Sequence, residues 1–124
     1  MSADQRDVGT VFVALADPTR RLLLGALVDE GQASATTLAV RLPVSRQAVI
    51  KHLNVLEDAG LVTAGRAGRE VLYRLRSTPL DASARWLTDL AATWDRRLEA
   101  VKRAAEAPDA ASGQRQLDQP DPDR

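Results

Sequence analysis

The chain has 124 residues, a formal net charge of zero and no cysteine. This length fits one domain with a modest core, and the lack of cysteine excludes disulfide bonds, a thiol switch and a cysteine-based zinc site. No apolar run approaches the length of a membrane span, and the first residues lack a signal-peptide pattern, so we expect a cytoplasmic protein with no membrane partner.

The charges are unevenly distributed. Between Arg41 and Arg76 there are seven basic and three acidic residues, a net charge of +4. Between Ala105 and Arg124 there are two basic and five acidic residues, a net charge of −3. A basic central segment followed by an acidic tail is compatible with a nucleic-acid partner despite the neutral total.

The first third of the chain predicts two helices. Residues 1–7 are polar, and we expect them to be disordered. A short helix is predicted for 8–16 from apolar residues at helical spacing, and a second from Pro18 to about Asp29, with Asp17 as its N-cap and Gly31 at its end. The second helix is interpreted as core scaffold. Arg20 and Arg21 lie unfavourably in its first turn, and either acidic partners or DNA phosphate would explain them.

The central stretch predicts a helix-turn-helix unit. A short helix opens at Ser34 and is broken by 43–45, after which Ser45 caps a second helix that Gly60 ends. The second helix has an apolar stripe of Val49, Leu53 and Leu56 and, on the opposite face, Gln47, Lys51 and Asn54. Glutamine and asparagine can bond adenine bidentately, and lysine can bond guanine or phosphate.

The helix that Ser45 caps supplies most of the candidate DNA contacts. No acid precedes Glu57 on it, which favours a polyanionic partner over a merely solvated face. Ile50 could touch a thymine methyl or pack on the hairpin that follows, and the lone His52 fits a phosphate contact or an internal hydrogen bond better than a metal. The candidates are Ser45, Arg46, Gln47, Ile50, Lys51, His52 and Asn54.

A β-hairpin is predicted next, with strands over 61–65 and 70–75 and a turn over 66–69. Arg66 and Arg69 flank its tip, where they would contact DNA backbone or minor groove as a wing. The glycines around them fit neither a P-loop nor a dinucleotide-binding motif.

A long last helix is predicted from Leu80 to about Ala105. Its apolar stripe contains both tryptophans, and we interpret it as a dimer interface shared with the 8–16 helix, with ordinary core as the alternative. The predicted interface residues are Val8, Val11, Phe12, Leu15, Trp86, Leu87, Leu90, Trp94, Leu98 and Val101. Residues 105–124 are expected to form a disordered acidic tail.

Three motifs in this order resemble those of the ArsR family of winged helix-turn-helix repressors. They are ALADPTRR at 14–21, SRQAVIKHL at 45–53 and LEDAGLV at 56–62, within a resemblance that extends over roughly 8–103. The resemblance implies a mainly α fold of about five helices with a small β-hairpin. It also implies a bacterial homodimer whose first and last helices pair, and which binds double-stranded operator DNA and represses transcription, often of its own operon.

Metal sensing is not expected. In metal-sensing members of that family, the ligands are cysteines near the recognition helix or histidines and acids along the last helix. This chain has no cysteine, and its last helix offers only Asp81, Asp89, Asp95 and Glu99. No cofactor and no enzyme activity are expected either, since no Ser–His–acid arrangement is present.

Two other functions stay open, a winged-helix module that binds an acidic protein and a ligand-gated regulator with an apolar effector pocket near the tryptophans.

Overall fold

The computed structural model describes residues 2–107, with side chains from Val8 onward. Its elements in chain order are α1 (Ser2–Leu15), α2 (Pro18–Glu30), α3 (Ala35–Arg41), α4 (Arg46–Asp58), β1 (Val62–Ala67), β2 (Glu70–Leu75) and α5 (Thr78–Glu106). The predicted fold class is confirmed: the described residues form five helices and one antiparallel two-stranded hairpin. Two compact units divide inside α5, the first ending at Trp86 and the second beginning at Leu87.

Three helices begin at the N-caps that the sequence predicts. The Asp17 carboxylate accepts hydrogen bonds from the backbone N–H of Thr19 at 2.7 Å and of Arg20 at 3.3 Å. The hydroxyl of Ser34 accepts from the N–H of Thr37 at 3.1 Å, and that of Ser45 accepts from the N–H of Ala48 at 3.1 Å. Each cap satisfies an N–H that the helix itself leaves unpaired, which defines where α2, α3 and α4 start.

The end of α4 is a Schellman motif. Gly60 has a φ of 78°, its N–H donates to the carbonyl of Glu57 at 2.9 Å, and the N–H of Leu61 donates to the carbonyl of Leu56 at 2.9 Å. Leu56 and Leu61 are both fully buried, which supplies the hydrophobic contact of this motif. The chain therefore leaves α4 in a defined direction and enters β1 immediately.

The core of the first unit lies between α2, α3, α4 and the base of the hairpin. Its fully buried large side chains are Val11, Leu23, Leu27, Leu38, Val49, Leu53, Leu56, Leu61 and Val62. Full burial of one such side chain stabilises the fold by about 1.5–3 kcal/mol. Two backbone hydrogen bonds between Ala33 and Tyr73, at 3.1 and 2.8 Å, attach β2 to the α2–α3 connection. This attachment holds the hairpin against the helices.

The hairpin corrects the predicted position of Arg66. β1 pairs with β2 from Val62↔Leu75 to Ala67↔Glu70, so only Gly68 and Arg69 form the turn. Gly68 has a φ of 65°, and no non-glycine residue in the described part of the chain has a positive φ. Glycine with positive φ at the first position of a two-residue loop is typical of a type II′ turn. Arg66 is therefore a strand residue opposite Val71, and Arg69 alone of the two arginines lies in the turn.

Two helix boundaries also differ from the prediction. Residues 2–7, predicted to be disordered, form the first turns of α1. They contain neither proline nor glycine, and extending an existing helix requires no new nucleation. α5 begins at Thr78, two residues before the predicted Leu80, since Pro79 is tolerated in the first helical turn. It continues to Glu106, two residues into the predicted tail. Residues 108–124, the rest of that tail, lie outside the described residues. None of the described helices could cross a membrane.

Candidate nucleic-acid interface

Helix α4 separates a buried face from an exposed polar face. Val49, Leu53 and Leu56 are fully buried, and the residues on the opposite side, Gln47, Lys51 and Asn54, are exposed. The separation follows from the 3.6-residue period of the helix, which places i, i+4 and i+7 on one side. Gln47, Lys51 and Asn54 together form what we call the reading face. It presents two amides and one ammonium group to solvent and no carboxylate.

The start of α4 is attached to α3. The Arg46 guanidinium Nε donates to the hydroxyl of Thr36 at 3.1 Å, which leaves its terminal nitrogens toward solvent. The oxygen of Ser45 is already used by the N-cap, so this side chain could meet an anion only through its O–H. Both residues thus position the start of α4 and keep some capacity to donate hydrogen bonds.

Two predicted site residues are only half-exposed. Ile50 packs against the hydrophobic core, which favours packing over the thymine-methyl contact that the sequence left open. The ring of His52 lies beside Arg20, with 3.4 Å between His52 Nδ1 and an Arg20 terminal nitrogen. The internal hydrogen bond considered for His52 is therefore present.

Arg20 and Arg21 have a role that the sequence did not reveal. Arg20 donates to the carbonyls of Ala14 at 2.6 Å and Val13 at 3.3 Å, and Arg21 donates to that of Leu15 at 2.5 Å. These are the last carbonyls of α1, which have no partner within the helix. Guanidinium groups also suit the negative end of a helix dipole. The sequence feature that could have indicated this role is the short connection between the two helices, residues 16–17, which brings the first turn of α2 against the end of α1.

The Asp17 carboxylate belongs to the same cluster, 3.9 Å from a terminal nitrogen of Arg20. Partial burial by itself acts to raise the pKa of this carboxyl. The hydrogen bonds from the Thr19 and Arg20 N–H groups, with the positive charges of His52 and Arg20, outweigh that effect and hold the pKa of Asp17 below its ordinary 3.8. Asp17 is therefore a charged cap beside the Arg20 guanidinium.

The basic residues around α4 are not equivalent. Arg41 makes ion pairs with Asp29 at 3.0 Å and Glu30 at 3.3 Å, so its charge is largely balanced within the chain. Arg69 lies at the exposed hairpin tip. Arg66 is exposed as well, but strand alternation places it on the same face of β1 as the buried Val62. Of the two predicted wing arginines, Arg69 is the one that the fold presents at the turn.

The predicted dimer residues divide into two groups. Val8 and Val11 are only 5% and 1% exposed within the single chain, so they pack inside the protomer and offer no surface to a second copy. Leu15 is half-buried against the core. Phe12 stays exposed and packs edge-to-face on Trp86, with 6.0 Å between ring centroids. The helical spacing that predicted a single interface therefore combines residues of the exposed face of α1 with residues of its buried face.

The second unit carries an apolar stripe that nothing covers within the described part of the chain. Leu87, Leu90, Trp94, Leu98 and Val101 recur on one side of α5, and each is 47–54% exposed. Large apolar patches of this kind are uncommon on the surfaces of monomeric proteins.

Among the described residues, no group of three or more histidine, cysteine or acidic side chains comes close enough to hold a metal ion.

Comparison with known proteins agrees with this geometry. The family model described as a helix-turn-helix domain matches residues 15–63. An HTH-type transcriptional regulator of Mycobacterium tuberculosis is 45% identical over 93 residues, which span 75% of this chain and 83% of the relative. An ArsR-like transcriptional regulator from Rhodococcus sp. RHA1 superposes with a TM-score of 0.75 at 47% identity, covering 83% of this chain and 96% of that one. The chain belongs to the ArsR family of helix-turn-helix transcriptional regulators.

Membership of the ArsR family assigns a DNA-binding, transcription-regulating function, as the motifs of the sequence predicted. The transcriptional repressor SdpR of Bacillus subtilis is also similar, at 34% identity over 80 residues that cover 64% of this chain and 88% of that protein. These relatives are regulators of transcription and not enzymes. The helix-turn-helix match includes all of α2, α3 and α4.

Proposed function

We propose that this ArsR-family protein is a cytoplasmic homodimeric repressor that inserts α4 of each subunit into a major groove of operator DNA. The observation that carries the proposal is the reading face, exposed and free of acid on a helix whose other side is fully buried. A helix anchored in this way can approach DNA without loss of its core contacts. The similarity to the repressor SdpR supports repression as the regulatory outcome.

Each residue of the reading face has a chemical role in the proposal. Gln47 and Asn54 present amides, which match the donor and acceptor of adenine in the major groove, and Lys51 presents a point charge for guanine or phosphate. Ser45 and Arg46 lie at the N-terminus of α4, where backbone N–H groups and the helix dipole favour a phosphate. Arg69 at the hairpin tip meets the flanking backbone.

The second copy is proposed to dock on the apolar stripe of α5. Tryptophan is enriched in protein–protein interfaces, and Trp94 lies half-exposed in the middle of the stripe. The exposed Phe12–Trp86 pair of the first unit is a further contact surface in this proposal. A two-fold dimer requires half-sites about one helical turn, or a multiple of it, apart.

The test compares Lys51→Ala with Lys102→Ala. Both substitutions remove one exposed ammonium group, but Lys102 lies on α5, outside the apolar stripe. Binding to duplex DNA from upstream of the protein's own gene is measured by fluorescence anisotropy over a range of salt concentrations. If Lys51 contacts phosphate, K51A lowers the slope of log K against log salt by about 0.9. K102A keeps the parent's slope and affinity.

Gln47→Ala tests base reading on the same face. It is expected to cost about 1–3 kcal/mol on the operator and to relax discrimination at one base pair. The readout is affinity for a panel of operators with single base changes. If Q47A and K51A bind every duplex as the parent does, α4 does not read DNA with this face.

A further inference from the structure

Arg20 lies where three parts of the first unit meet. Its Nε and one terminal nitrogen donate to the last carbonyls of α1, Ala14 at 2.6 Å and Val13 at 3.3 Å. The other terminal nitrogen lies 3.4 Å from His52 Nδ1 on α4 and 3.9 Å from the carboxylate of Asp17. Its side chain is only 15% exposed. The guanidinium is therefore held in place from several sides at once.

This arrangement determines which nitrogen of His52 can carry the proton. A guanidinium has five N–H donors and no acceptor, and it stays protonated at every ordinary pH. A hydrogen bond between the two therefore requires that the facing nitrogen, His52 Nδ1, is the accepting, unprotonated one. In a neutral imidazole the proton then lies on Nε2, because the partner of one ring nitrogen sets the tautomer of the other. Within the described residues, Nε2 of His52 has no hydrogen-bond partner.

The position of His52 on α4 gives that N–H a use. His52 directly follows Lys51, about 100° around the helix from it, between the exposed reading face and the buried stripe. A side chain at the margin of a helix in the major groove meets the sugar–phosphate strand that borders the groove rather than the base edges. A phosphate oxygen accepts hydrogen bonds and does not donate them, so it requires a donor at this margin.

We propose that Arg20 is a positioning residue that holds His52 as its Nε2–H tautomer, so that this N–H donates to a phosphate oxygen of bound DNA. The inference rests on the proposed function. It assigns to Arg20, which is remote from the reading face, an effect on DNA affinity that passes through the imidazole. It also makes the end of α1 part of the structure that orients the recognition helix.

The tautomer is tested directly by NMR. The chain has a single histidine, so a long-range ¹⁵N–¹H correlation spectrum of the free protein shows one imidazole. At a pH where the ring is neutral, the expected pattern has a protonated Nε2 and an unprotonated Nδ1. In Arg20→Gln the two tautomers are expected to interconvert. A protonated Nδ1 in the parent protein would overturn the proposal, and this measurement involves no DNA.

The contribution to binding is tested with a pair of histidine variants. In His52→Gln the side-chain amide nitrogen reaches the place of Nε2, so a donor is kept. In His52→Asn the amide reaches only the place of Nδ1, so an acceptor for Arg20 is kept and the outer donor is lost. We expect H52N to bind DNA about tenfold more weakly than the parent, and H52Q to stay within about threefold of it.

Both variants are compared at equal folded fraction, established by thermal unfolding. Equal affinities for H52N, H52Q and the parent, with K51A still impaired, would show that His52 is a structural residue and leave the proposed function standing. If the parent itself does not bind duplex DNA, both proposals fail together. A loss that is larger in H52Q than in H52N would assign the important hydrogen bond to Nδ1 and contradict the inference.

Discussion

At the scale of single residues, several side chains near α4 serve two neighbours at once. Asp17 caps α2 and faces Arg20, and Arg20 caps α1 and touches His52. The reading face could be predicted from sequence, because the helical period alone separates it from the buried stripe. The Arg20–His52 contact could not, since it joins residues 32 positions apart that meet only after α1, α2 and α4 have packed.

The charge of Asp17 predicts a pH dependence of stability. Its folded-state pKa lies below the ordinary 3.8, so the charged form favours the folded protein. The stabilisation is fully present above the unfolded-state pKa and is lost as the pH falls through the lower, folded-state value. Asp17→Asn keeps an N-cap but removes the charge. In urea unfolding the parent should be more stable than D17N near neutral pH, and the difference should shrink below about pH 4. A difference that does not change with pH would contradict this account.

At the scale of elements, the strand predicted over 70–75 has the bounds of β2. The strand predicted over 61–65 begins one residue and ends two residues before β1. Arg66 and Ala67 were assigned to the turn, yet both pair with β2, opposite Val71 and Glu70. The turn is instead set by Gly68, whose positive φ closes a two-residue loop. The sequence placed Gly68 in the turn but could not show that the turn has only two residues, because its length depends on the strand register.

Two matched glycine variants test this assignment of the turn. A Cβ added at Gly65 or at Gly68 meets no atom within 4 Å, so neither substitution causes a clash. Only Gly68 has a positive φ, at 65°. Gly68→Ala should lower the free energy of unfolding by about 1–2 kcal/mol, the cost of a left-handed conformation for an L-residue. Gly65→Ala should stay within about 0.5 kcal/mol of the parent. Equal effects in chemical denaturation would mean that the turn lies elsewhere.

At the scale of the whole molecule, a chain of zero net charge has a basic central segment, and its last helix has an exposed apolar side. The alternation of caps, apolar stripes and glycine stops was enough to predict five helices and one hairpin. The extent of the dimer surface was not predictable in the same way, because Val8 and Val11 have the same spacing as Phe12 but point into the core. Spacing defines a face, and tertiary packing decides which face is covered.

Self-association through α5 is tested by two charge insertions. Trp94→Glu places a carboxylate in the apolar stripe, and Arg96→Glu places one on the opposite side of the same helix. The parent is expected to be a dimer at micromolar concentration in sedimentation velocity. W94E should weaken association by about 2–4 kcal/mol, the size of an interface hot spot, and R96E should leave it near the parent's value. A parent that is monomeric, or a W94E variant that dimerises normally, would contradict the proposed interface.

The most direct test of paired recognition is selection of duplexes from a random pool by the protein, followed by protection mapping of the enriched sequence. The result we predict is an inverted repeat with two protected half-sites whose centres lie about 10–10.5 base pairs, or a multiple of that, apart. The enriched sequence should lose affinity in K51A and in W94E. Enrichment of no sequence, or protection of a single isolated half-site, would contradict a dimer that reads DNA through α4.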